Sequence, residues 1–219
     1  MARIARVVLP GIPHHVVQRG VRSQRLFFGD PDRGEYLRLL AEQGRRHGLL
    51  YVAWCLMPNH VHLIVIPKTE TSLAKGIGEA HKAYTRRINF RQAARGYLFQ
   101  GRFASCPLDE QHLFAAVRYA LRNPVRAGLV ADPLDYPWST ARWHLGRASR
   151  DPLAFHYPLR ARISDWAAFL ARDPQEMSLL RRHSRTGRPL GEPAFVELAE
   201  RLTGRALRKG RPGRKPKLK

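Results

Sequence analysis

The stretch Met57-Pro58-Asn59-His60-Val61-His62-Leu63-Ile64-Val65 decides how the chain is read. Its second half is rich in β-branched and aliphatic residues, the composition of a buried strand. On a strand, residues two apart point to the same face. His60 and His62 therefore project together, while Val61 and Leu63 turn to the other side. Two imidazoles on one rigid face make half of a divalent-metal site. The same pair also suits the solvated face of an ordinary strand, so a third ligand and a reacting group must come from elsewhere.

Working outward, Met57-Pro58-Asn59 punctuates two strands, Leu50–Leu56 and His60–Ile66. A first strand is expected at His14–Arg19, stopped by Gly20. Asp30-Pro31-Asp32 opens a helix with an acidic N-cap and a proline in the first turn. Tyr36, Leu37, Leu40 and Ala41 follow at helical spacing, and Gly48 ends it. A second helix runs from Ser72 to about Ile88, with Leu73, Ile77, Ala80, Ala83 and Tyr84 inward. Phe103–Leu108 forms a last strand, at an edge because of Pro107. A third helix from about Glu110 to Arg122 meets Asn123-Pro124. The order β-α-β-β-α-β-α predicts an α+β fold, an antiparallel sheet with helices packed on one side.

The character changes near Ala148. Short helices at Ile163–Ala171 and Phe195–Leu202 lie among Pro- and Arg-rich stretches. Residues 205–219 carry eight basic side chains and no acid, which predicts a disordered tail. The expected division is a catalytic domain over 1–147, a helical C-terminal extension over 148–204 and a basic tail over 205–219.

The 219 residues hold 39 Lys and Arg against 17 Asp and Glu, a net charge of +22. That surplus points to a polyanion, and nucleic acid is the common one. Cys55 and Cys106 form no CxxC, which argues against a zinc finger or a disulfide framework. The N-terminus lacks the long apolar stretch of a signal peptide. The run around Leu63 to Ile66 is too short to cross a membrane. A cytoplasmic, nucleoid-associated protein is expected.

The reacting group is sought in Arg118-Tyr119-Ala120-Leu121-Arg122-Asn123-Pro124-Val125-Arg126-Ala127-Gly128-Leu129. Tyr119 and Asn123 are four apart on one helix and share a face. Asn123 offers a carbonyl oxygen to a metal, and Tyr119 a phenol beside it. A phenol, with a pKa near ~10, needs a metal, a base or positive charge to become a good nucleophile. Arg118, Arg122 and Arg126 bring such charge. The competing reading is a core tyrosine on an amphipathic helix, with Asn123 as an end cap. Tyr119 lies at an angle to the apolar stripe of Leu113, Phe114, Val117 and Leu121, which favours an accessible ring.

Taken together, these motifs resemble a known family. His60-Val61-His62 is a His–hydrophobic–His motif, and Tyr119 with Asn123-Pro124-Val125-Arg126-Ala127-Gly128-Leu129 resembles the tyrosine helix of the single-tyrosine transposases. With His15-Val16-Val17-Gln18-Arg19-Gly20 and Gln100-Gly101-Arg102-Phe103, they resemble the IS200-like group, and more narrowly the REP-associated tyrosine transposases of bacteria. The likeness spans roughly residues 3 to 145.

The resemblance implies a ferredoxin-like α+β domain. His60 and His62 would bind Mg²⁺ or Mn²⁺, with Asn123 as third ligand where mobile relatives often carry glutamine. Tyr119 would attack a phosphodiester in single-stranded DNA, giving a 5′-phosphotyrosine link and a free 3′-OH. The DNA partners it implies are hairpin-forming palindromes, and a monomer is favoured over a dimer. Candidate phosphate contacts are Arg19, Lys82, Arg86, Arg87, Arg102, Arg118, Arg122 and Arg126, with Arg208, Lys209, Arg211, Arg214 and Lys215 in the tail. His14 and His15 lie on opposite faces of the first strand, so one of them could approach the site, but a structural role is favoured. Two rivals stand beside the tyrosine mechanism: a non-catalytic binder of DNA hairpins, and a metal-dependent nuclease that activates water.

Overall fold

The computed structural model describes residues 4–153, 158–173 and 175–208. In chain order they form β1 (His14–Arg19), α1 (Asp30–His47), β2 (Leu49–Met57), β3 (His60–Pro67), α2 (Ser72–Arg91), β4 (Ala104–Pro107), α3 (Glu110–Leu121), α4 (Asn123–Arg126), α5 (Ala141–His144), α6 (Trp166–Ala171), α7 (Met177–Thr186) and α8 (Pro193–Thr203). Every element expected from the sequence is present. The helix α7 was not expected: its apolar stripe is interrupted by Arg181, Arg182, His183 and Arg185, which hides the helical period.

The strands pair antiparallel in the order β2-β3-β1-β4, the ferredoxin-like arrangement. Period-two alternation sorts each strand between two cores. On one face Val16, Val61, Leu63 and Val65 pack against Tyr36 and Leu40 of α1 and Leu73, Ile77 and Tyr84 of α2. Full burial of each such side chain stabilises the fold by about 1.5–3 kcal/mol. Close approach of α2 is allowed by Gly76, where a Cβ would lie 2.5 Å from Leu49 Cδ1. Gly48 ends α1 in the left-handed region, at φ 67°, and the chain reverses directly into β2.

The expected layer of helices on one side is thus α1 and α2. The opposite face is covered as well. Ile64 and Cys106 pack there against Leu113, Val117 and Leu121 of α3, together with Trp166, Leu170 and Leu180 from the C-terminal segment. A β-bulge at Tyr51–Ala53 shifts the register of β2. It places Val52 and Ala53 together in this second core, while Tyr51 and Trp54 stay in the first.

The C-terminal residues are fastened to the sheet edge. Leu190 bridges Leu108 in parallel fashion, and its amide donates to Pro107 O at 2.9 Å. The expectation of a disordered tail from Arg205 is corrected for its first four residues. Leu207 is buried with Val7, Leu9 and Ala199, and Arg205 donates to the carbonyls of Ala5 and Arg6. An apolar residue at 207 supplies the anchor that a run of bare charge lacks. Lys209, Arg211, Arg214 and Lys215 lie outside the described residues. Among the described residues no helix is long and apolar enough to cross a membrane.

Candidate active site

The pairing of β1 with β3 sets Val17 opposite His62 and Arg19 opposite His60. Directly opposed residues share a face, so His15, Val17, Arg19, His60 and His62 all look toward α3. The histidine pair therefore projects to one side, as its spacing requires, and away from α1 and α2. The two rings meet edge to face, with centroids 5.0 Å apart at 80°.

Tyr119 arrives from α3, its ring 5.4 Å from that of His62 at 85°. The ring is buried in the second core, so the expected accessible ring is corrected: packing against C-terminal residues covers it. Asn123 lies beyond the end of α3, in the first turn of α4. The junction residue Arg122 keeps helical dihedrals, so the four-residue spacing survives the break. His15, His60, His62, Tyr119 and Asn123 all line one open cleft of about 720 Å³, with Arg19, Arg102 and Arg181 at its walls.

Two guanidiniums converge on the phenol. Arg126 stands over the Tyr119 ring, 4.2 Å from its centroid, and donates to Tyr119 O at 3.1 Å. Arg181 of α7 donates from Nε to the Tyr119 hydroxyl at 3.3 Å. Positive charge at this oxygen stabilises negative charge developing on it.

The imidazoles are neutral at physiological pH. Burial lowers His60 to about 4, helped by Arg19 and Arg126. Burial likewise lowers His15 to about 4. His62 is held well below the ordinary value by burial, then by its neighbours His15, His60, Arg126 and Arg19. Neutral rings have lone pairs to offer a metal without first losing a proton.

The donor set fits a divalent ion. His62 Nε2 is buried with no hydrogen-bond partner, and so is the Asn123 side-chain amide nitrogen. A half-turn of that amide exchanges its nitrogen for its oxygen. Among the described residues no group of three His, Cys, Asp or Glu converges. The side chains that could hold an ion here are two imidazoles and an amide, too few for a closed structural zinc site and suited to an exchangeable ion with open positions.

The remaining basic residues divide. Arg19 and Arg102 line the cleft. Arg118 stacks on Phe169 at 4.3 Å, and Arg122 pairs with Asp173 at 2.8 Å and with Leu170 O. Both face α6 rather than the phenol, so of the arginines at four-residue spacing only Arg126 reaches Tyr119. Lys82, Arg86 and Arg87 lie on α2, across the sheet. Lys82 is 3.7 Å from Glu79 and Arg87 is 3.8 Å from Glu35. Lys82 and Arg102 share a second groove with Arg6, Tyr97 and Phe103, so Arg102 belongs to both depressions. Arg208 pairs with Glu197 on α8.

His15, Arg181 and Ser184 line the cleft without having been assigned to the site from the sequence. His15 had a readable signal, since the β1 alternation puts it in phase with Val17 and Arg19. Arg181 and Ser184 had none, because only tertiary packing brings α7 to the sheet. His14, by contrast, is structural as expected: it accepts from Leu9 N at 3.2 Å and bonds Ile12 O at 2.8 Å.

Comparison with known proteins agrees with this arrangement. The family model described as IS200-like transposase matches residues 10–123. No curated protein matches the chain. A solved structure of a REP-associated tyrosine transposase bound to a REP hairpin is similar at TM-score 0.59 and 20% identity, over 69% of this chain and 90% of that one. At this identity the likeness concerns the fold. A candidate transposase from Deinococcus radiodurans R1 is similar at TM-score 0.39 and 16% identity, over 51% of this chain and 89% of that one, too loosely to bear on the fold.

Proposed function

The chain belongs to the IS200-like transposase family, and on that premise we propose that it nicks and transfers single-stranded DNA through Tyr119, acting on hairpin-forming repeats. One observation carries the reading: a tyrosine hydroxyl held by Arg181 shares a cleft with a pair of neutral imidazoles. A binding module has no use for that combination.

In this mechanism Arg19 and Arg102 at the walls of the cleft receive the DNA backbone. The strand continues past Arg102 into the second groove, where Tyr97, 87% exposed, offers a ring for a base to stack on. His60, His62 and Asn123 would hold Mg²⁺ or Mn²⁺, and the ion would supply positive charge to the scissile phosphate. Because these protein donors are neutral, the DNA phosphate would complete the charge balance of the site.

Arg181 and Arg126 stabilise the Tyr119 oxygen as its proton leaves. That oxygen bonds to phosphorus, the bond from phosphorus to the 3′ oxygen breaks, and the 3′ oxygen takes up a proton. The products are a 5′-phosphotyrosine link and a free 3′-OH. Attack by a DNA 3′-OH on the link reverses the step and rejoins strands without an external energy source.

The test is a denaturing gel with labelled single-stranded hairpin DNA and Mn²⁺ or Mg²⁺. The wild type forms a slow-migrating covalent band, lost in Tyr119→Phe and on chelation with EDTA. Cleavage retained by Tyr119→Phe without any adduct would mark a water-activating nuclease instead. Binding with neither cleavage nor adduct would mark a hairpin-binding protein.

A further inference from the structure

The C-terminal helix α7 reaches the metal side of the cleft as well as the nucleophile. Ser184 Oγ lies 3.0 Å from His15 Nδ1, and His15 Nε2 lies 2.9 Å from His62 Nδ1. All three residues are buried, His15 and His62 almost completely. The planes of the two rings differ by only 12°, with centroids 5.2 Å apart. Face-to-face stacking does not bring ring nitrogens within 2.9 Å of each other, so this is an in-plane N–H···N bond between two imidazoles.

We propose that Ser184 and His15 are positioning residues that fix the tautomer of His62, holding its proton on Nδ1 and turning the Nε2 lone pair into the cleft toward a metal. The inference rests on the reading of His60, His62 and Asn123 as metal ligands.

The chain Ser184–His15–His62 has two proton arrangements. In one, His62 Nδ1–H donates to His15 Nε2, and His15 Nδ1–H donates to Ser184 Oγ. The serine proton then turns to Cys106 Sγ at 3.9 Å, and His62 Nε2 is bare. In the other, every proton points the opposite way, and His62 presents Nε2–H, which cannot ligate. Arg19 lines the same cleft as His62, and Arg126 stands over the adjoining Tyr119 ring. Their positive charge favours a lone pair over an N–H at the cleft end.

His60 supports the same choice independently. Its Nδ1 lies 2.7 Å from Asn59 Oδ1. A carbonyl oxygen only accepts, so His60 carries its proton on Nδ1 and frees Nε2. Both imidazoles of the motif are thus set to ligate through Nε2, His60 by its sequence neighbour and His62 by a relay from a helix 169 residues away from His15. Partners of this kind orient ligating histidines and raise their basicity.

Two readouts test the relay. Nitrogen-15 spectra of the histidines in metal-free protein report which ring nitrogen is protonated. Mn²⁺ affinity is measured by paramagnetic resonance with single-stranded hairpin DNA present and with Tyr119→Phe as the common background. We expect His62 to be protonated at Nδ1. Ser184→Ala should move that tautomer balance and weaken Mn²⁺ binding about tenfold or more. Ser184→Thr, which keeps the hydroxyl, should restore both. An unchanged His62 signal in Ser184→Ala overturns the relay whatever the metal does. Unchanged Mn²⁺ affinity with a moved signal overturns its role in ligation. A parent protein that binds no Mn²⁺ overturns the metal reading itself, and with it that role.

Discussion

Each face of the sheet buries a histidine beside a tyrosine, and the two pairs are put to opposite uses. On the α1–α2 face the Tyr36 hydroxyl and His81 Nε2 satisfy each other at 2.8 Å, and the His81 ring stacks on Phe99 at 4.3 Å. Burial, with Tyr51 and Tyr84 nearby, holds the Tyr36 phenol well above its ordinary range. On the α3 face Tyr119 and His62 leave their polar atoms uncommitted to each other. The phenol meets Arg181, and His62 Nε2 has no partner. A satisfied buried pair stabilises a core; an unsatisfied one costs free energy unless a ligand completes it. The difference lies in what surrounds the rings, aromatic packing in one case and guanidiniums with an open cleft in the other.

Exchanging the two tyrosines for phenylalanine gives the largest contrast. Tyr119→Phe should abolish the covalent DNA adduct and leave the thermal midpoint close to that of the wild type. Tyr36→Phe should keep nicking and lower stability by about 1–3 kcal/mol, because His81 loses its partner. Adduct formation by Tyr119→Phe in a denaturing gel would break the comparison. The histidines extend it: His62→Ala should eliminate cleavage with hairpin binding retained, whereas His81→Ala should cost mainly folding stability. Chemical denaturation beside a cleavage assay separates the two. Loss of binding and folding together in His62→Ala would mark that histidine as structural.

A smaller effect is expected from Arg181→Ala. It removes a charged donor from the Tyr119 hydroxyl and, on the proposed mechanism, should slow single-turnover nicking about 10²-fold, with little change in hairpin affinity. An unaltered rate would show that Arg126 suffices.

A last effect is one the two faces share. His81 is lowered to about 3 and His15 to about 4, both by burial. Their folded pKa values lie below the unfolded value of 6.5, so the unfolded chain binds more protons through that window. Stability is full above pH 6.5 and declines as pH falls toward 4. Thermal midpoints recorded between pH 7.5 and 4.5 should fall steadily; a flat profile would show that these rings are not held neutral.

Much of this was legible in the chain. Strand alternation placed His60 and His62 on one face, and the four-residue step from Tyr119 to Asn123 survived the break at Arg122. Gly48 and the Met57-Pro58-Asn59 turn marked their boundaries well. The arginines were read less well. Arg118, Arg122 and Arg126 share one spacing, yet Phe169 and Asp173 draw the first two away, and no local pattern announces that.

The sequence by itself determined the strands and helices, and the shared direction of His60 with His62 and of Tyr119 with Asn123, because side-chain direction in strands and helices follows from local geometry. Only the tertiary structure decided that Arg181 meets the phenol and that Ser184 stands behind His15. Those contacts join α7 to α3, 62 residues earlier, and to β1, 169 residues earlier. They arise when the second core buries Leu180 and Trp166, and burial of that kind is set by what packs where, which no local period records.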